Sequence, residues 1–345
     1  MTATASGSEH VSHGILGARG ISACSHRAIT RRLELIRRHV NSVRSLDYVV
    51  VDAFSDTALA GNPLAVVMNT IGLDTARMQA IAREFNLSET TFVERRPAAV
   101  EQAEGVRVRI FTTQEELPFA GHPTLGTASV LKIFSPDSVR DGTIHLALNV
   151  GRVPVRFDGQ VNSSGTVFGE MTQRDPEFCA ELDSAAVARL IGLLLDDLDP
   201  AARPQVVSTG TPFAIVVLRS LEALSRLKVN HDEASDFLRG QGGRWFYVLA
   251  PEANQDQDGT KSWRARMQFY GGEDPATGSA AGCAIAYLVG RGIVPSGERI
   301  HLRQGLEISR PSDLFLSARS DSAKITDIRV GGSTVLVAKG QLFLP

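Results

Sequence analysis

Residues 117–128 read LPFAGHPTLGTA, and a weaker copy, GEDPATGSAA, follows at residues 272–281. Each copy ends a polar turn that carries glycine and then opens an apolar run. Proline is favoured just inside the start of a helix, because its missing N–H group would have no partner there. The repeat therefore predicts two similar helix starts, with helices over residues 124–133 and 277–289.

Aligning the two copies on their shared Pro-x-x-Gly places His122 opposite Asp274. The free N–H groups at a helix start carry partial positive charge and bind anions. Two such starts that face each other would form an anion site with one titratable group on each wall. This arrangement suits proton transfer on an acidic substrate. The alternatives are that His122 bonds only to backbone and that Asp274 is an N-cap.

Composition indicates a soluble globular protein large enough for two domains. The chain has 345 residues, of which 43% are hydrophobic and 21% charged, values that are ordinary for such proteins. A net charge of −2 argues against a nucleic-acid partner. The three cysteines show no metal-ligand spacing, and no stretch reaches the roughly 20 apolar residues that span a membrane.

The N-terminal extension, residues 1–46, has a different composition from the rest. It holds seven arginines but only two acidic residues, Glu9 and Glu34. Apolar residues recur in it at helical spacing from Ile29 to Val43. Three interpretations stay open: a disordered tail, an amphipathic helix packed on the body, and an organelle transit peptide. We expect a cytoplasmic protein, with organelle targeting as the alternative.

The body of the chain, from Asp47 onward, repeats one order of elements: strand, helix, serine-containing turn, strand and glycine-rich helix start. Ser88 lies in the turn of the first half and Ser208 in that of the second. We therefore predict an α+β fold of two similar halves with a cleft between them. Predicted strands are 48–54, 64–68, 88–93, 106–111, 144–148, 153–157, 244–249, 264–269, 325–330, 334–338 and 341–344. Predicted helices are 75–85, 184–195 and 221–227, with a surface loop at 252–261.

Glu89 is a candidate acid or base because it stands between a helix end and a strand, among apolar neighbours. Partial burial would raise the pKa of its carboxyl group toward the catalytic range. The alternative is an exposed surface charge. No phosphate-loop, dinucleotide or zinc-protease motif is present, and no cysteine lies in either copy of the repeat. The remaining groups indicate proton transfer by Glu, His and Asp without metal or cofactor.

Several motifs resemble the phenazine-biosynthesis isomerase (PhzF-like) family. They occur in the family's order between Tyr48 and Leu344, and residues 1–46 lie outside them. The motifs are DAFSDTALAGNPLAVV (52–67), SETTFV (88–93), RIFTTQEELPFAGHPTLGTA (109–128), STGTPF (208–213), EDPATGSAAG (273–282) and VGGSTVLVAKGQL (330–342). The segment QGLEISRPS (304–312) resembles the family's Gly-Arg-Pro-Ser motif, with Ser309 in place of the usual glycine. This difference and the run 267–272, which is shorter than is typical of the family, both bear on substrate fit.

This resemblance implies a diaminopimelate epimerase-like fold of two similar lobes, each a mixed sheet wrapped around a central helix, with the active site between them. The first lobe would comprise residues 47–150 and 333–345, and the second residues 151–332. The family's acid–base Glu, His and Asp fall on Glu89, His122 and Asp274. Its substrate-contacting positions fall on Ser88, Gly121, Gly278 and Ser279, to which we add Asn62 and Ser208 from neighbouring motifs.

The expected activity is a cofactor-independent isomerisation that moves a proton on a small carboxylic acid. Isomerisation of trans-2,3-dihydro-3-hydroxyanthranilate is the reaction best known for this family. One alternative is an amino-acid epimerase or racemase that uses Glu89 against His122 or Asp274 as two faces. Another is a non-catalytic ligand-binding protein of the same fold. We expect a homodimer, with no nucleic-acid or membrane partner.

Overall fold

The computed structural model describes residues 44–256, 259–269, 272–321 and 324–344. Leu46–Leu342 forms one compact unit. The predictions for the N-terminal extension up to residue 43 lie outside the described residues. The first strand begins at Arg44 and buries Leu46, so it crosses the predicted boundary at residue 46, which stays a prediction.

The described residues form eighteen β-strands and seven α-helices. The strands are β1 Arg44–Ala53, β2 Asn62–Val67, β3 Glu89–Glu94, β4 Val106–Phe111, β5 Glu116–Leu117, β6 Thr143–Leu148, β7 Gly151–Phe157, β8 Thr166–Thr172, β9 Glu177–Glu181, β10 Gln205–Ser208, β11 Pro212–Val217, β12 Trp245–Gln255, β13 Lys261–Arg266, β14 Gln268–Phe269, β15 Gly272–Glu273, β16 Ile300–Gln304, β17 Ser312–Asp321 and β18 Lys324–Leu344. The helices are α1 Thr75–Phe85, α2 Ala98–Glu104, α3 Gly121–Phe134, α4 Ser184–Leu190, α5 Leu221–Ser225, α6 His231–Gly240 and α7 Gly278–Gly290. The fold is therefore α+β, as predicted.

One continuous sheet connects almost all of the strands. Its order is β1-β2-β3-β4-β6-β7-β8-β18-β17-β16-β13-β12-β11-β10-β9, and β5 pairs with β4. Because β1 also pairs with β18, the first eight strands of this order close into a barrel. Strand β18 connects the barrel to the remaining strands, since it pairs with both β8 and β17.

The three predicted closing strands are wrong as separate elements, because β18 is a single strand of 21 residues. The adjacent glycines Gly331 and Gly332 indicated a turn in the sequence. In the structure Gly332 allows a close approach, since a Cβ atom there would lie 2.5 Å from Cδ1 of Phe54. The glycine pair thus serves packing inside a strand rather than a chain reversal.

Two helices carry apolar and small residues on every face, and both are buried on all sides. Every residue of α3 from Gly121 to Leu131 is buried, and so is every residue of α7 from Gly278 to Val289. Helix α3 packs against β2, β3, β6, β7 and β8, whereas α7 packs against β10, β11 and β17. These are the two helices that the repeat predicts.

The two buried helices meet at their first residues. A Cβ atom on Gly121 would lie 2.4 Å from the carbonyl carbon of Gly278 and 2.4 Å from the amide nitrogen of Ser279. Only glycine permits this contact of backbone with backbone. The prediction that the two starts face each other is therefore confirmed, although α3 begins three residues earlier and α7 one residue later than predicted.

Several predicted boundaries are wrong for local reasons. Helix α4 ends at Leu190 instead of residue 195, because Gly192 adopts a positive φ of 73° and terminates it. Helix α5 ends at Ser225, two residues early. Five residues of the predicted loop 252–261 are strand, since β12 runs through Gln255 and β13 begins at Lys261. The strands β5, β8, β9, β10, β11, β15, β16 and β17 and the helices α2 and α6 were not predicted from the sequence.

Within the described ranges, each helix is too short or too polar to cross a bilayer. The lobe boundaries at residues 150/151 and 332/333 stay a prediction.

Candidate active site

Glu89 and His122 come together in the interior. Glu89 is the first residue of β3, and His122 lies in the first turn of α3. His122 Nε2 and Glu89 Oε2 are 3.2 Å apart, and both residues are buried. These two atoms do not form a hydrogen bond with each other. Neither of them has a hydrogen-bond partner among the described residues. Buried polar atoms without partners are rare in proteins and point to an absent ligand or water.

Asn62 joins this pair to Asp274. Asn62 is the first residue of β2 and is fully buried. Its Nδ2 atom lies 3.0 Å from His122 Nδ1, 2.7 Å from Asp274 Oδ1 and 2.8 Å from the carbonyl oxygen of Ala276. One amide nitrogen therefore connects a strand of the barrel, the start of α3 and the turn that precedes α7.

The turn that carries Asp274 is held by further hydrogen bonds. Thr277 Oγ1 donates to Asp274 Oδ2 at 2.6 Å, and the Asp274 amide donates to the Met267 carbonyl at 2.8 Å. The fully buried Gln304 donates from Nε2 to the Asp274 carbonyl at 2.8 Å and to Thr277 Oγ1 at 2.9 Å. Tyr247 in turn donates to Gln304 Oε1 at 2.8 Å. Asp274 is thus rigidly placed.

Burial controls the ionisation of all three titratable groups. Desolvation, followed by repulsion from Asp274, raises the pKa of Glu89 well above its ordinary value. Desolvation also raises the pKa of Asp274 to about 7, although hydrogen bonds from Thr277, Asn62 and Ser88 oppose it. The same effect lowers the pKa of His122 to about 3, so its imidazole is neutral at pH 7. Burial therefore favours the uncharged form of each of the three groups.

Comparisons with known proteins agree with this geometry. The family model described as phenazine biosynthesis-like protein matches residues 51–340. A relative named trans-2,3-dihydro-3-hydroxyanthranilate isomerase, from Pseudomonas aeruginosa, is 36% identical over 303 residues, which cover 86% of this chain and 99% of the relative. The chain belongs to the phenazine biosynthesis-like protein family. It is an isomerase.

Two solved structures share the fold of this PhzF-like chain. A structure described as a predicted epimerase from Pseudomonas aeruginosa has a TM-score of 0.72 and 34% identity, covering 86% of this chain and 99% of that one. A hydroxyproline epimerase from Agrobacterium vitis has a TM-score of 0.56 and 13% identity, covering 87% of this chain and 93% of that one. The second likeness concerns the fold alone.

The other predicted site residues of this PhzF-like chain fall into two groups. We use the term cluster for Asn62, Glu89, His122 and Asp274. Four predicted residues lie beside it: Ser88, which hydrogen-bonds Asp274, and Gly121, Gly278 and Ser279, which form the contact between the helix starts. Ser208 is different, because its hydroxyl oxygen accepts from the Gly210 amide at 3.2 Å. No described hydrogen bond connects Ser208 to the cluster. The roles of all these residues stay predictions.

Gln304, Thr277 and Tyr247 support the cluster by hydrogen bonds, and the sequence did not reveal them as part of the site. Gln304 opens the 304–312 motif of the family resemblance, which was the available signal. Its neighbour Ser309, which replaces the family's usual glycine, adopts a positive φ of 59°. Glycine adopts this conformation without strain, which explains the family's preference.

Arg310 fixes the turn that precedes Asn62. Its guanidinium donates to the buried Asp52 carboxylate at 2.6 Å and to the Gly61 carbonyl at 2.9 Å. The Gly61 amide donates to the Pro311 carbonyl at 2.9 Å. A charge-assisted contact of this kind holds two distant chain segments in register beside the site. Across the four described ranges, no cluster of three or more His, Cys, Asp or Glu side chains is arranged to hold a metal ion.

Proposed function

We propose that this chain is a cofactor-independent isomerase of a small carboxylic acid, acting like trans-2,3-dihydro-3-hydroxyanthranilate isomerase. It removes a proton from an acidic C–H bond and returns it to another carbon of the conjugated system. The observation that carries the proposal is the buried pair of Glu89 Oε2 and His122 Nε2, 3.2 Å apart and without hydrogen-bond partners. The relative from Pseudomonas aeruginosa that bears this name supports the substrate class.

Glu89 is the proton carrier in this mechanism. Its raised pKa makes the ionised carboxylate a stronger base toward carbon than an exposed glutamate. After abstraction, the carboxylic acid formed beside the substrate can protonate a second carbon. In D2O it delivers deuterium to that carbon once its own proton has exchanged with solvent. The neutral His122 faces the same atom of Glu89 and is placed to bond a substrate oxygen. Asp274, with a pKa of about 7, is the second group able to exchange a proton near neutral pH.

The helix starts bind the substrate carboxylate in this proposal. Neither N-cap residue, Ala120 of α3 nor Thr277 of α7, uses its side chain to accept a hydrogen bond from its own helix. Their N–H groups therefore retain capacity for an anion, which the helix dipole also favours. We propose that Ser88, Asn62, Gly121, Gly278, Ser279 and Ser208 contact the substrate. The site would then lie between two lobes of a diaminopimelate epimerase-like fold, in a homodimer.

The distance between Glu89 and His122 separates this mechanism from one of the alternatives. A two-base epimerase needs its bases on opposite faces of the substrate carbon. Atoms 3.2 Å apart leave no room for a carbon between them, so Glu89 and His122 do not form such a pair. An epimerase that opposes Glu89 to Asp274 is the alternative that remains within enzymes.

Glu89→Gln tests the proposal. The substitution preserves the size of the side chain but removes the proton carrier, so binding of the acid should survive. We expect turnover to fall roughly 10²- to 10⁴-fold or more, as is typical for a general acid–base group. Candidate carboxylic acids are incubated in D2O, and deuterium in the recovered acid is measured by mass spectrometry.

Glu94→Gln is the matched control, because Glu94 ends the same strand outside the site. It should incorporate deuterium at the wild-type rate. Near-native turnover in Glu89→Gln would exclude Glu89 as the carrier. A wild-type protein that binds the acids but exchanges no deuterium would favour the non-catalytic binding protein.

A further inference from the structure

Asn62 makes an unusual set of contacts for one amide nitrogen. Its Nδ2 atom lies within 3.0 Å of three acceptor positions that belong to His122, Asp274 and Ala276. An amide nitrogen carries two hydrogens and no acceptor lone pair. The three neighbours therefore compete for two donated hydrogens, and none of them can donate to this nitrogen.

The Ala276 carbonyl decides which way the Asn62 amide points. A carbonyl oxygen is always an acceptor, so the group facing it at 2.8 Å has to be the amide nitrogen. The reverse orientation would set Asn62 Oδ1 against the Ala276 carbonyl and the Asp274 carboxyl group. In the observed orientation Oδ1 is buried without a hydrogen-bond partner among the described residues, which leaves one acceptor open.

The orientation of Asn62 determines where His122 carries its proton. His122 Nδ1 faces a donor at 3.0 Å, so Nδ1 has to be the unprotonated, accepting nitrogen. A neutral imidazole with an accepting Nδ1 has its hydrogen on Nε2. That hydrogen lies on the nitrogen 3.2 Å from Glu89 Oε2, inside the site.

We propose that Asn62 is a positioning residue that selects the Nε2–H tautomer of His122, and so makes His122 a hydrogen-bond donor toward the substrate. This inference rests on the proposed function for its catalytic meaning but not for the tautomer itself. The opposite tautomer would present a lone pair to the site and could not donate to a substrate oxygen. A tautomer fixed by one hydrogen bond to the other ring nitrogen is a common arrangement for functional histidines.

The surroundings of Asn62 support a positioning role. The Asp52–Arg310 contact fixes the turn immediately before it, through the Ala60 and Gly61 carbonyls. Its Nδ2 hydrogens are occupied by protein acceptors, so only Oδ1 is left to contact a ligand. The predicted substrate-binding role and the proposed positioning role therefore use different atoms of the same side chain.

Nitrogen NMR of the full-length protein, labelled with ¹⁵N-histidine, tests the tautomer directly. Two-bond proton–nitrogen spectra distinguish protonated from unprotonated ring nitrogens, and the spectrum of His122→Gln identifies the His122 signals. We expect a protonated Nε2 and an unprotonated Nδ1 for His122 in the free wild-type protein at pH 7. A protonated Nδ1 would overturn the proposal without any variant.

Asn62→Asp supplies the second measurement, because it replaces the donating nitrogen by an oxygen of the same size. We expect the His122 proton to move to Nδ1, and turnover to fall roughly 10²-fold or more with little change in KM. Asn69→Asp is the matched control, since Asn69 is exposed and lies just past the other end of β2. Its spectrum should equal that of the wild type. An unchanged His122 tautomer in a folded Asn62→Asp protein would contradict the proposal.

The two proposals fail in distinguishable ways. If the wild type exchanges no deuterium but His122 shows the Nε2–H tautomer and responds to Asn62→Asp, the isomerase mechanism is wrong and the positioning role stands. If deuterium exchange depends on Glu89 but His122 carries its proton on Nδ1, only the positioning role is wrong.

Discussion

The two buried helix starts derive from similar sequences but hold their titratable residues in different ways. At α3, His122 is part of the helix itself, and among the described residues its ring contacts only Asn62 and Glu89 through polar atoms. At α7, Asp274 precedes the N-cap Thr277 by three residues, and hydrogen bonds to its carboxylate, amide and carbonyl groups fix it. The α3 start thus carries an imidazole ring with few polar contacts, whereas the α7 start carries a carboxyl group fixed by several hydrogen bonds.

This difference indicates a division of labour. His122 Nε2 and Glu89 Oε2 retain unused hydrogen-bonding capacity, which suits groups that bond to a substrate during the reaction. Both oxygens of Asp274 already accept hydrogen bonds from the protein. We propose that Asp274 serves mainly to set the electrostatics of the site, since its charge raises the pKa of Glu89. Three predictions separate the two starts by experiment.

The contact between the helix starts should tolerate an added methyl group far less at Gly121 than at Gly278. A Cβ atom on Gly121 would meet backbone atoms of α7 at 2.4 Å, whereas one on Gly278 would first meet the ends of the Phe54 and Met171 side chains at 2.9 and 3.0 Å. Side chains can move aside and backbone cannot. We expect Gly121→Ala to lower the free energy of unfolding by about 3 kcal/mol or more, and Gly278→Ala by about 1–3 kcal/mol. Denaturant unfolding measures both.

Gly240→Ala is the control for this pair. Gly240 ends α6, and nothing would lie within 4 Å of an added Cβ atom. Alanine there should raise the free energy of unfolding by about 0.5–1 kcal/mol, because it restricts the unfolded chain. If Gly121→Ala and Gly278→Ala lowered the free energy of unfolding equally, the backbone contact between the helix starts would not determine how well each position tolerates alanine.

A second comparison uses two buried threonines, one near each helix start. Thr277 Oγ1 donates to the Asp274 carboxyl group and accepts from Gln304, whereas Thr124 Oγ1 donates only to the Ala120 carbonyl of its own helix. Thr277→Val should cost about 1–3 kcal/mol, because it leaves buried polar groups without partners. It should also raise the pKa of Asp274 further, since the lost hydrogen bond lowers that pKa.

Thr124→Val should cost no more than about 1 kcal/mol, because the Ala120 carbonyl retains its bond from the Thr124 amide. Unfolding free energies and the pH dependence of turnover distinguish the two variants. If Thr124→Val moved the pH profile as much as Thr277→Val, the firm hold on Asp274 would not be what sets the ionisation of the site.

Part of this site could be predicted from the sequence. The repeat predicted two buried helices with facing starts, and it placed His122 opposite Asp274; both residues contact Asn62. The alignment also set Gly126 opposite Gly278, but in the structure Gly121 packs against Gly278. The reason is that α3 begins two residues before its proline and α7 three residues after its own. Where a helix begins depends on tertiary packing, which a local motif does not encode.

The network around Asp274 could not be predicted for a related reason. Gln304 and Tyr247 are distant in sequence from Asp274, and a buried glutamine looks like any other polar residue in a strand. Strand pairing brings them together, since β16 aligns with β13 and β13 with β12. Only the family resemblance at residues 304–312 marked this region. Side chains that support a site from neighbouring strands are visible only once the sheet order is known.

The third comparison concerns the pH dependence of stability, and it tests the α7 start. The pKa of Asp274 is about 7 in the folded protein, above its ordinary value of 3.8. Between these values the folded state binds a proton that the unfolded state has lost, so the free energy of unfolding falls as pH rises, by at most about 1.4 kcal/mol per pH unit. Asp274→Asn removes this contribution. The difference in unfolding free energy, wild type minus variant, should therefore decrease from about pH 4 to about pH 7. It should decrease further above pH 7, because the Asp274 charge raises the pKa of Glu89 in the wild type and the variant lacks that charge. His122 contributes nothing in this range, because its pKa of about 3 leaves it neutral. A difference that instead grew with pH would mean that the hydrogen bonds from Thr277, Asn62 and Ser88 stabilise an ionised Asp274 more than burial destabilises it.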